Sequence, residues 1–248
     1  MFEMQTAPGV GQVLALLGRE YGPVRRRRRL DPVSELVAVI LSQNTSDANS
    51  HRAFRRLKEV FGSWEEVARG DVALIASSIQ AGGLSRIKAP RIKAALQRIL
   101  EERGSLELEF LRYMPLKEAK AWLRRLPGVG PKSAAIVLCF SLGMPAMPVD
   151  THVFRVARRL GFLGPKATPE KAHDILEETV PPEEVYPFHL LLIAHGRRSC
   201  KARRPLCAGC VLGSICLSRD RFLAEGLSSG QRRSPLGRGS EDSDEKVL

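Results

Sequence analysis

The segment Leu126-Pro127-Gly128-Val129-Gly130-Pro131-Lys132 joins two stretches that both show helical periodicity. Glycine lacks a Cβ and permits positive φ, so a phosphate can approach the backbone N–H groups of this turn. Pro131 fits the first turn of the following helix, whose free N–H groups favour an anion. The segment therefore has a helix–hairpin–helix signature, which binds the DNA backbone without reading base sequence. An ordinary tight turn between helices is the alternative.

Helical periodicity extends along the chain on both sides of this turn. Apolar residues recur at intervals of three and four, as on one face of an amphipathic helix. The clearest stripes lie at 33–41, 53–61, 92–99, 119–126 and 153–160. No alternating run of four or more residues argues convincingly for a strand, so the sequence predicts an all-α fold.

The charge balance favours a polyanionic partner. The 248 residues include 39 Lys and Arg against 27 Asp and Glu, a formal net charge of +12. Residues 226–248 carry four basic and four acidic side chains, so the surplus belongs to the rest of the chain. Such a surplus favours nucleic acid or an anionic membrane face, although many proteins are basic only for solubility. The arginine run at 25–29 must be solvated or lie along phosphate.

Length and hydropathy limit the class of protein. At about 100–200 residues per domain, the chain forms one or two domains with a real core. No run of about 18 apolar residues occurs, and the N-terminus lacks the pattern of a secretory signal. We therefore expect a cytoplasmic protein, nucleoid-associated in a prokaryote, with no membrane partner. Residues 226–248 are polar and low in complexity, and they are predicted to form a disordered tail.

Four of the five cysteines form a C-x6-C-x2-C-x5-C pattern: Cys200, Cys207, Cys210 and Cys216. An intracellular chain with its own core does not need a disulfide framework, and four nearby thiolates can hold one metal centre. Zinc sites favour two C-x2-C pairs, and only one such pair is present. The spacing thus favours a [4Fe–4S] cluster, and zinc is the alternative. Cys139 lies in an apolar run and is expected in the core.

Three basic residues lie inside the first loop between cysteines: Lys201, Arg203 and Arg204. Their charge can neutralise the thiolates locally. Alternatively, the loop holds them against DNA phosphates. Both functions are compatible.

Lys132 stands at a predicted helix N-terminus, where a cation is disfavoured by about 0.3–1 kcal/mol. A purely structural helix start would more naturally carry an acidic or hydroxyl side chain. If the amine is desolvated beside other cations, it shifts toward the neutral form that a Schiff-base nucleophile requires. The sequence therefore marks Lys132 as a candidate nucleophile.

Asp150, in Pro148-Val149-Asp150-Thr151-His152, is the candidate partner of this lysine. A helix over 131–142 rises roughly 15 Å, and residues 143–149 span up to about 23 Å, so Asp150 can return to the end of the helix where Lys132 lies. Asp150 also suits the N-cap of a helix that begins near Thr151, and capping is compatible with catalysis. His152 alone is a weak signal.

Together these motifs resemble the endonuclease III family of helix–hairpin–helix DNA glycosylases. The likeness runs from about residue 30 to residue 216 and includes Leu41-Ser42-Gln43-Asn44-Thr45-Ser46-Asp47. It implies a two-lobed all-α protein with duplex DNA in the cleft. One lobe is a six-helix barrel at 25–144, with the hairpin at about 120–142. The other combines 1–24 with 145–216, and its loop 200–216 holds a [4Fe–4S] cluster. We expect a monomer.

The resemblance also implies a base-excision-repair reaction on duplex DNA that contains damaged or abasic nucleotides. Members of this family remove a damaged base, here an oxidised pyrimidine. Lys132 matches the lysine that attacks the sugar C1′ and forms an imine, after which β-elimination cuts the strand on the 3′ side. Asp150 matches the aspartate that stabilises positive charge on the sugar or helps to activate the amine.

Two further positions carry over from the family. Leu84 matches a wedge leucine that enters the base stack beside the lesion, and a loop leucine is the alternative. A glutamine normally fills the vacated stack; the gapless match places Asn44 there, directly after Gln43, so either can fill it. Both can instead be polar residues at a helix end. The other predicted DNA contacts are Gly128, Gly130, His152, Lys201, Arg203 and Arg204.

Two other functions remain open from the sequence. The same fold can serve a glycosylase for mispaired uracil or thymine, or for alkylated bases. Adenine-mismatch relatives are disfavoured, because they usually lack the lysine and carry a further C-terminal domain. A non-catalytic iron–sulfur DNA-binding module is the remaining alternative, and it would need neither Lys132 nor Asp150.

Overall fold

The computed structural model describes residues 7–24 and 30–230, with side chains up to residue 224. All regular structure in these ranges is helical, so the predicted all-α fold is confirmed for them. The α-helices are α1 (Val10–Tyr21), α2 (Pro32–Ser42), α3 (Asp47–Phe61), α4 (Trp64–Arg69), α5 (Val72–Ser78), α6 (Ser85–Arg103), α7 (Leu116–Arg124), α8 (Pro131–Ile136), α9 (Thr151–Leu160), α10 (Pro169–Thr179), α11 (Val185–Arg198) and α12 (Arg219–Gly230).

The arginine run at 25–29 lies outside the described residues, and so does most of the predicted tail. The backbone of residues 226–230 belongs to α12, so the boundary at residue 226 is wrong. Each residue added to an existing helix gains a hydrogen bond, which lets a helix continue into a polar segment. Disorder over 231–248 stays a prediction.

The first hydrophobic core is formed by α2 to α8 and their connecting turns, and we call this part the barrel lobe. It buries mainly aliphatic side chains, among them Leu36, Ile40 and Ile92. Trp64 is satisfied inside it, because its indole N–H donates to the Ser34 hydroxyl at 2.9 Å. This lobe carries the hairpin between α7 and α8.

The second core combines α1 with α9, α10 and α11, and we call this part the cysteine lobe. Its apolar residues include Leu17, Val153 and Phe188. It differs from the first core by burying three histidines: His173, His189 and His195. Cys139 comes from the helical segment after α8 and packs into this second core, as a buried residue.

The predicted helix over 131–142 is present but changes its winding. α8 ends at Ile136, and Val137–Leu142 continues as a π-helix. Gly143 ends the segment with a left-handed φ of 70° and donates its N–H to the Leu138 carbonyl. π-Helical turns are rare and occur frequently near functional sites.

A non-helical segment after Gly143 connects the two lobes. α10 holds both backbone groups of Met147: the carboxylate of Glu177 accepts its N–H at 2.9 Å, and Nδ1 of His173 contacts its carbonyl at 2.7 Å. Lys120 of α7 forms ion pairs with Asp174 and Glu177 of α10, at 2.9 and 2.7 Å. These contacts fix the segment that leads into α9.

Candidate active site and cysteine loop

The hairpin between α7 and α8 needs glycine at one of its two positions. Gly128 has a left-handed φ of 82°, and a Cβ added there would lie 3.2 Å from Cδ of Arg91 on α6. Gly130 has an unstrained φ of −92°, and no atom lies within 4 Å of an added Cβ. The expected positive φ thus applies only to Gly128, while Gly130 faces open space beside the start of α8.

Arg91 is a cation at the hairpin that the sequence motifs do not reveal. Its side chain packs against Gly128 and is exposed. In the sequence it is one of several basic residues in a long helix, and only the crossing of α6 over the hairpin distinguishes it.

Lys132 is the second residue of α8 and is exposed. Among the described residues, no carboxylate lies within ion-pair distance of its ammonium. The expected desolvation of the amine is therefore wrong, because the second residue of a helix that follows a surface turn lies outside the core. Exposure leaves the amine accessible to a ligand on the hairpin.

Asp150 is the N-cap of α9, as the sequence predicts. One oxygen, Oδ1, accepts both the His152 N–H at 2.8 Å and the Val153 N–H at 2.7 Å. No described residue donates to the other oxygen, Oδ2. The half-buried carboxylate therefore caps the helix and retains one oxygen for other chemistry.

His189 of α11 lies within electrostatic reach of both Lys132 and Asp150. Its ring is buried, and Nδ1–H donates to the Pro148 carbonyl at 2.8 Å. Burial lowers the pKa of His189 to about 4, while Asp150 raises that pKa and Lys132 lowers it. The charges of the two candidate catalytic groups, one from each lobe, therefore both act on this buried imidazole.

Gln43 and Asn44 differ in their surroundings. The side-chain amide of Gln43 donates to the Gly128 carbonyl at 2.9 Å, which ties the end of α2 to the hairpin. Asn44 is exposed and has a φ of 53°, a left-handed conformation that asparagine tolerates better than most residues. Among the described residues, Gln43 thus has a side-chain hydrogen bond to the hairpin, whereas the side chain of Asn44 faces solvent.

Leu84 combines backbone strain with apolar exposure. It lies directly before α6 with φ 50° and ψ 32°, and 49% of its surface is exposed. The left-handed conformation costs an L-residue roughly 1–2 kcal/mol. An exposed leucine held in this way is an observation that favours a functional role over a passive one.

His152 packs where α9 crosses α11. Nδ1 of His152 lies 3.0 Å from a guanidinium nitrogen of Arg155. A Cβ added at Gly196 would lie 2.8 Å from Cβ of His152. Arg155 also donates to the carbonyls of Gly196 and Cys200, at 2.8 and 2.9 Å. These contacts account for His152 structurally, and its predicted DNA contact stays a prediction.

The four cysteines of the loop line a single pocket, together with Val156, Leu160 and His195. None of the four forms a disulfide. Burial raises the pKa of Cys207, Cys210 and Cys216, and the nearby cysteines raise it further. Within the described ranges, no three His, Cys, Asp or Glu side chains form a ready site for a metal ion.

N–H groups surround the sulfur atoms of this pocket. Arg159 donates to Sγ of Cys200 at 3.2 Å, and Nε2 of His195 lies 3.6 Å from Sγ of Cys210. Backbone N–H groups also bond Cys210 and Cys216 and lower the pKa of each thiol. The buried Nε of Arg219 has no hydrogen-bond partner among the described residues. This donor set suits thiolates that share an anionic metal centre.

A hydrogen-bond chain connects the cysteine pocket to α1. The hydroxyl of Tyr21 lies 2.9 Å from Nδ1 of His195 and 3.1 Å from the Ser199 hydroxyl. Burial lowers the pKa of His195 to about 4, so this ring is neutral near pH 7. α1 therefore helps to orient a side chain that contacts Cys210.

The three basic residues of the loop are exposed: Lys201, Arg203 and Arg204. Arg159 fixes the loop backbone, because it donates to the carbonyls of Lys201 and Ala202 at 2.7 and 3.1 Å. The arginines that lower the pKa of Cys207 are Arg159 and Arg219. Arg159 and Arg219 can therefore neutralise the thiolates, while the three basic residues of the loop face solvent.

No helix of the described residues is long and apolar enough to cross a membrane. Residues 37–182 match the family model of the HhH-GPD superfamily of base excision DNA repair proteins. The chain is 41% identical over 162 residues to a candidate DNA glycosylase of Arabidopsis thaliana. The matched region covers 65% of this chain and 55% of the plant protein. It is 34% identical over 192 residues to endonuclease III of Thermotoga maritima. The matched region covers 77% of this chain and 85% of that enzyme.

The solved structures extend this likeness to three dimensions. A trapped endonuclease III–DNA covalent intermediate matches with a TM-score of 0.73 at 28% identity, covering 86% of this chain and 97% of that one. A non-covalent endonuclease III–DNA complex matches with the same TM-score, 0.73, and covers 88% and 99% of the two chains.

Proposed function

The chain belongs to the endonuclease III family of HhH-GPD base excision repair proteins, and on this premise we propose which residues carry its DNA glycosylase and AP lyase reactions. The substrate is an oxidised pyrimidine in duplex DNA, or the abasic site that its removal leaves. Lys132 is the nucleophile and Asp150 is its carboxylate partner. The observation that carries this assignment is the position of Lys132, exposed at the start of α8 beside the hairpin and within electrostatic reach of the same histidine as Asp150.

The hairpin binds the DNA backbone next to the lysine. The open space at Gly130 admits a phosphate oxygen, and the free N–H groups at the start of α8 favour its charge. Arg91, whose side chain packs on Gly128, adds a cation at this point. A phosphate held here brings the neighbouring sugar to the exposed amine of Lys132.

The first chemical step exchanges one bond at C1′ for another. The lone pair of the Lys132 nitrogen forms a bond to C1′, and the base leaves with the electrons of the glycosidic bond and takes up one proton from that nitrogen. The C1′–O4′ bond then breaks, O4′ takes up the second proton of the nitrogen, and the C1′=N double bond of an imine forms. Positive charge develops on the sugar during this step, and Oδ2 of Asp150, which no described residue donates to, is the oxygen that stabilises it.

The second step cuts the strand and restores the enzyme. Loss of a proton from C2′ allows β-elimination, in which the C3′–O bond breaks and the phosphate on the 3′ side leaves. Water then hydrolyses the imine and releases Lys132. The imine makes the C2′ proton acidic, so the same lysine serves both steps.

The damaged nucleotide must leave the stack before Lys132 can reach its sugar. Leu84, strained and 49% exposed, enters the stack as an apolar wedge, and exposed Asn44 fills the vacated place. Such insertion offsets the cost of extrusion, a few kcal/mol. Gln43 instead steadies the hairpin through its bond to the Gly128 carbonyl.

The cysteine loop holds a [4Fe–4S] cluster through Cys200, Cys207, Cys210 and Cys216. Their shared pocket, and the N–H groups that surround the sulfur atoms, support this assignment. These four cysteines would hold the cluster and would thereby be joined to one another across the loop 200–216. The loop then presents Lys201, Arg203 and Arg204 to phosphates of the duplex.

The test of this function is covalent trapping. The protein is incubated with an abasic-site duplex and borohydride, which reduces an imine to a stable protein–DNA adduct. Lys132→Gln should abolish the adduct while DNA affinity is retained. Lys117→Gln is the matched control, since Lys117 is also exposed and is also the second residue of its helix, α7. Undiminished trapping by Lys132→Gln would remove Lys132 as the nucleophile.

A panel of single-lesion duplexes defines the base that is removed. Thymine glycol should be released and its strand cut, whereas an intact duplex should be untouched. Release of mispaired uracil or of an alkylated base without release of thymine glycol would favour the alternative substrates. If only the abasic duplex is cleaved, the protein would be an AP lyase without glycosylase activity. If no duplex is cleaved, a non-catalytic DNA-binding module would be favoured.

A further inference from the structure

Lys88 is a buried cation in the barrel lobe with no carboxylate partner among the described residues. It lies in the first turn of α6 and is 2% exposed. Its ammonium donates to two backbone carbonyls, that of Leu41 at 2.7 Å and that of Gly82 at 2.8 Å. Burial lowers the pKa of Lys88, as expected for a charge moved away from water.

Both carbonyls stand at the ends of helical segments. Leu41 is the penultimate residue of α2, and Gly82 ends the 3₁₀ turn Gln80–Gly82. Carbonyls at a helix C-terminus carry partial negative charge and lack helical partners, so a cation is favourable there. This explains how an ammonium can stay buried without an acidic neighbour.

The two segments lead directly to the two residues proposed to enter the DNA. Asn44 follows Leu41 by three residues, and Leu84 follows Gly82 by two. The backbone N–H of Lys88 also donates to the Leu84 carbonyl at 2.9 Å. One residue therefore contacts the base of the Asn44 loop and both sides of the Leu84 turn.

The close approach of the two segments is independently visible at Gly82. A Cβ added there would lie 3.0 Å from Cβ of Ala53 on α3 and 3.9 Å from the Leu41 carbonyl oxygen. The Leu84 turn thus rests against α3 and the end of α2. The bonds of Lys88 join backbone that is already in contact.

We propose that Lys88 is a positioning residue that fixes the distance between Asn44 and Leu84, so that both side chains enter the base stack together. The inference rests on the insertion role given to these two residues in the proposed function. Without the ammonium, two buried carbonyls lose their donor, and the segments separate to reach water. The expected consequence is slower extrusion of the base, with the chemistry at Lys132 preserved.

The test compares two lysines of the same helix. Lys88→Met keeps the length of the side chain and removes the donor. Lys93→Met is the matched control, because Lys93 of α6 also donates to a backbone carbonyl, that of Gly70 at 2.7 Å, and takes no part in the proposed site. Three quantities are measured: release of thymine glycol in a single turnover, cleavage of a preformed abasic site, and unstacking of 2-aminopurine opposite a tetrahydrofuran abasic analogue.

Lys88→Met should slow thymine glycol release by about tenfold or more, equivalent to about 1.4 kcal/mol, because extrusion of the base depends on both inserted side chains. Cleavage at the preformed abasic site should change by less than about threefold, because no base has to be extruded. The fluorescence rise of 2-aminopurine should be largely lost. Lys93→Met should leave all three quantities near the wild-type values.

A double-mutant cycle with Leu84→Ala separates positioning from general loss of stability. If Lys88 acts through Leu84, the effect of Lys88→Met on release becomes small in the Leu84→Ala background. Equal and independent effects of the two substitutions would overturn the proposal. If Lys88→Met does not fold, Lys88→Gln keeps N–H donors on a shorter side chain and should give a smaller loss of the same kind.

The outcomes distinguish this inference from the proposed function. The tetrahydrofuran analogue cannot form an imine, so its fluorescence reports insertion whether or not the chain is catalytic. A normal fluorescence rise with no borohydride adduct would refute the catalytic assignment and leave the positioning test intact. No rise with the wild-type protein, or an undiminished rise with Lys88→Met, would overturn the role of Lys88.

Discussion

The barrel lobe and the cysteine lobe each supply one catalytic group in the proposed reaction, but they bury different kinds of atoms. Apart from Lys88, the buried polar side chains of the described barrel lobe are serines. The cysteine lobe buries three histidines and lines a pocket with four thiols. The comparison teaches that Lys132 stands on a core made almost wholly of hydrocarbon, whereas Asp150 stands on a core that also contains groups able to respond to pH or to bind a metal.

Removal of the metal should produce the largest difference between the lobes. Cys210→Ser should lose the bound metal and destabilise the cysteine lobe by several kcal/mol, because metal-binding energy is also folding energy. Hydrogen exchange should then quicken in α9 and α11 but not in α2 or α6. Iron analysis and visible absorption measure the metal directly, and zinc in place of iron would correct its identity.

Cys139→Ala is the control for this change, because Cys139 is a buried cysteine outside the pocket. It should retain the metal and the exchange pattern of the wild type. Uniform loss of protection in both lobes of Cys210→Ser would break the comparison, since it would make the barrel lobe equally dependent on the loop.

Acidification should produce the next largest difference. The pKa of His189 is about 4 in the folded protein and 6.5 in the reference state, so the unfolded chain binds more protons between these values. Its contribution to stability, on the order of 3 kcal/mol, is therefore present above pH 6.5 and lost as pH falls toward 4. Denaturant titrations across this interval measure the slope.

His189→Asn separates this contribution from other acid effects. The asparagine amide can keep a bond to the Pro148 carbonyl, and it does not titrate. The free energy of unfolding should then depend less steeply on pH between about 6.5 and 4. An unchanged slope would assign the acid sensitivity to other groups, such as His173, whose pKa burial also lowers.

Substitution of Asp150 tests whether the cysteine lobe contributes chemistry as well as shape. Asp150→Asn should reduce base release and trapping by about 100-fold, the low end for removal of one charged catalytic group. Stability should change little, because asparagine caps a helix as well as aspartate does. Asp150→Ala should lose the activity and also about 1 kcal/mol of stability. Full activity of Asp150→Asn would reduce Asp150 to a cap.

Gly196→Ala gives the smallest effect and probes the packing of the cysteine lobe alone. The added Cβ would lie 2.8 Å from Cβ of His152, and this overpacking, about 1–3 kcal/mol, outweighs the helix propensity gained from alanine. Gly18→Ala in α1 is the control: no atom lies within 4 Å, so it should stabilise the protein slightly. A thermal melt of each variant shows the sign, and stabilisation by Gly196→Ala would contradict the crossing seen here.

Local patterns predicted the parts of this molecule that local physics determines. The all-α fold followed from helical periodicity, and the capping by Asp150 followed from its place before a helix. Gly128 adopts positive φ as a glycine between two helices suggests. Each of these features depends on residues that are close in sequence.

Features that depend on distant segments were not predictable in this way. A lysine in the basic first turn of α6 resembles a solvated residue, yet Lys88 is buried by segments that end at Leu41 and Gly82. The different surroundings of Gln43 and Asn44 became visible only from the position of the hairpin, which accepts a hydrogen bond from Gln43. The exposure of Lys132 needed the packing of α8. Contacts between residues far apart in the sequence decide all three features, and a single amino-acid sequence does not show such contacts directly.

The π-helical segment Val137–Leu142 gives side chains to both hydrophobic cores. Val137, Leu138 and Leu142 pack in the barrel lobe, whereas Cys139 packs in the cysteine lobe. A π turn is wider than an α turn and points successive side chains in directions that differ from those of a regular α-helix. The two lobes therefore share one piece of backbone, and a substitution that changes its winding would disturb the packing of both at once.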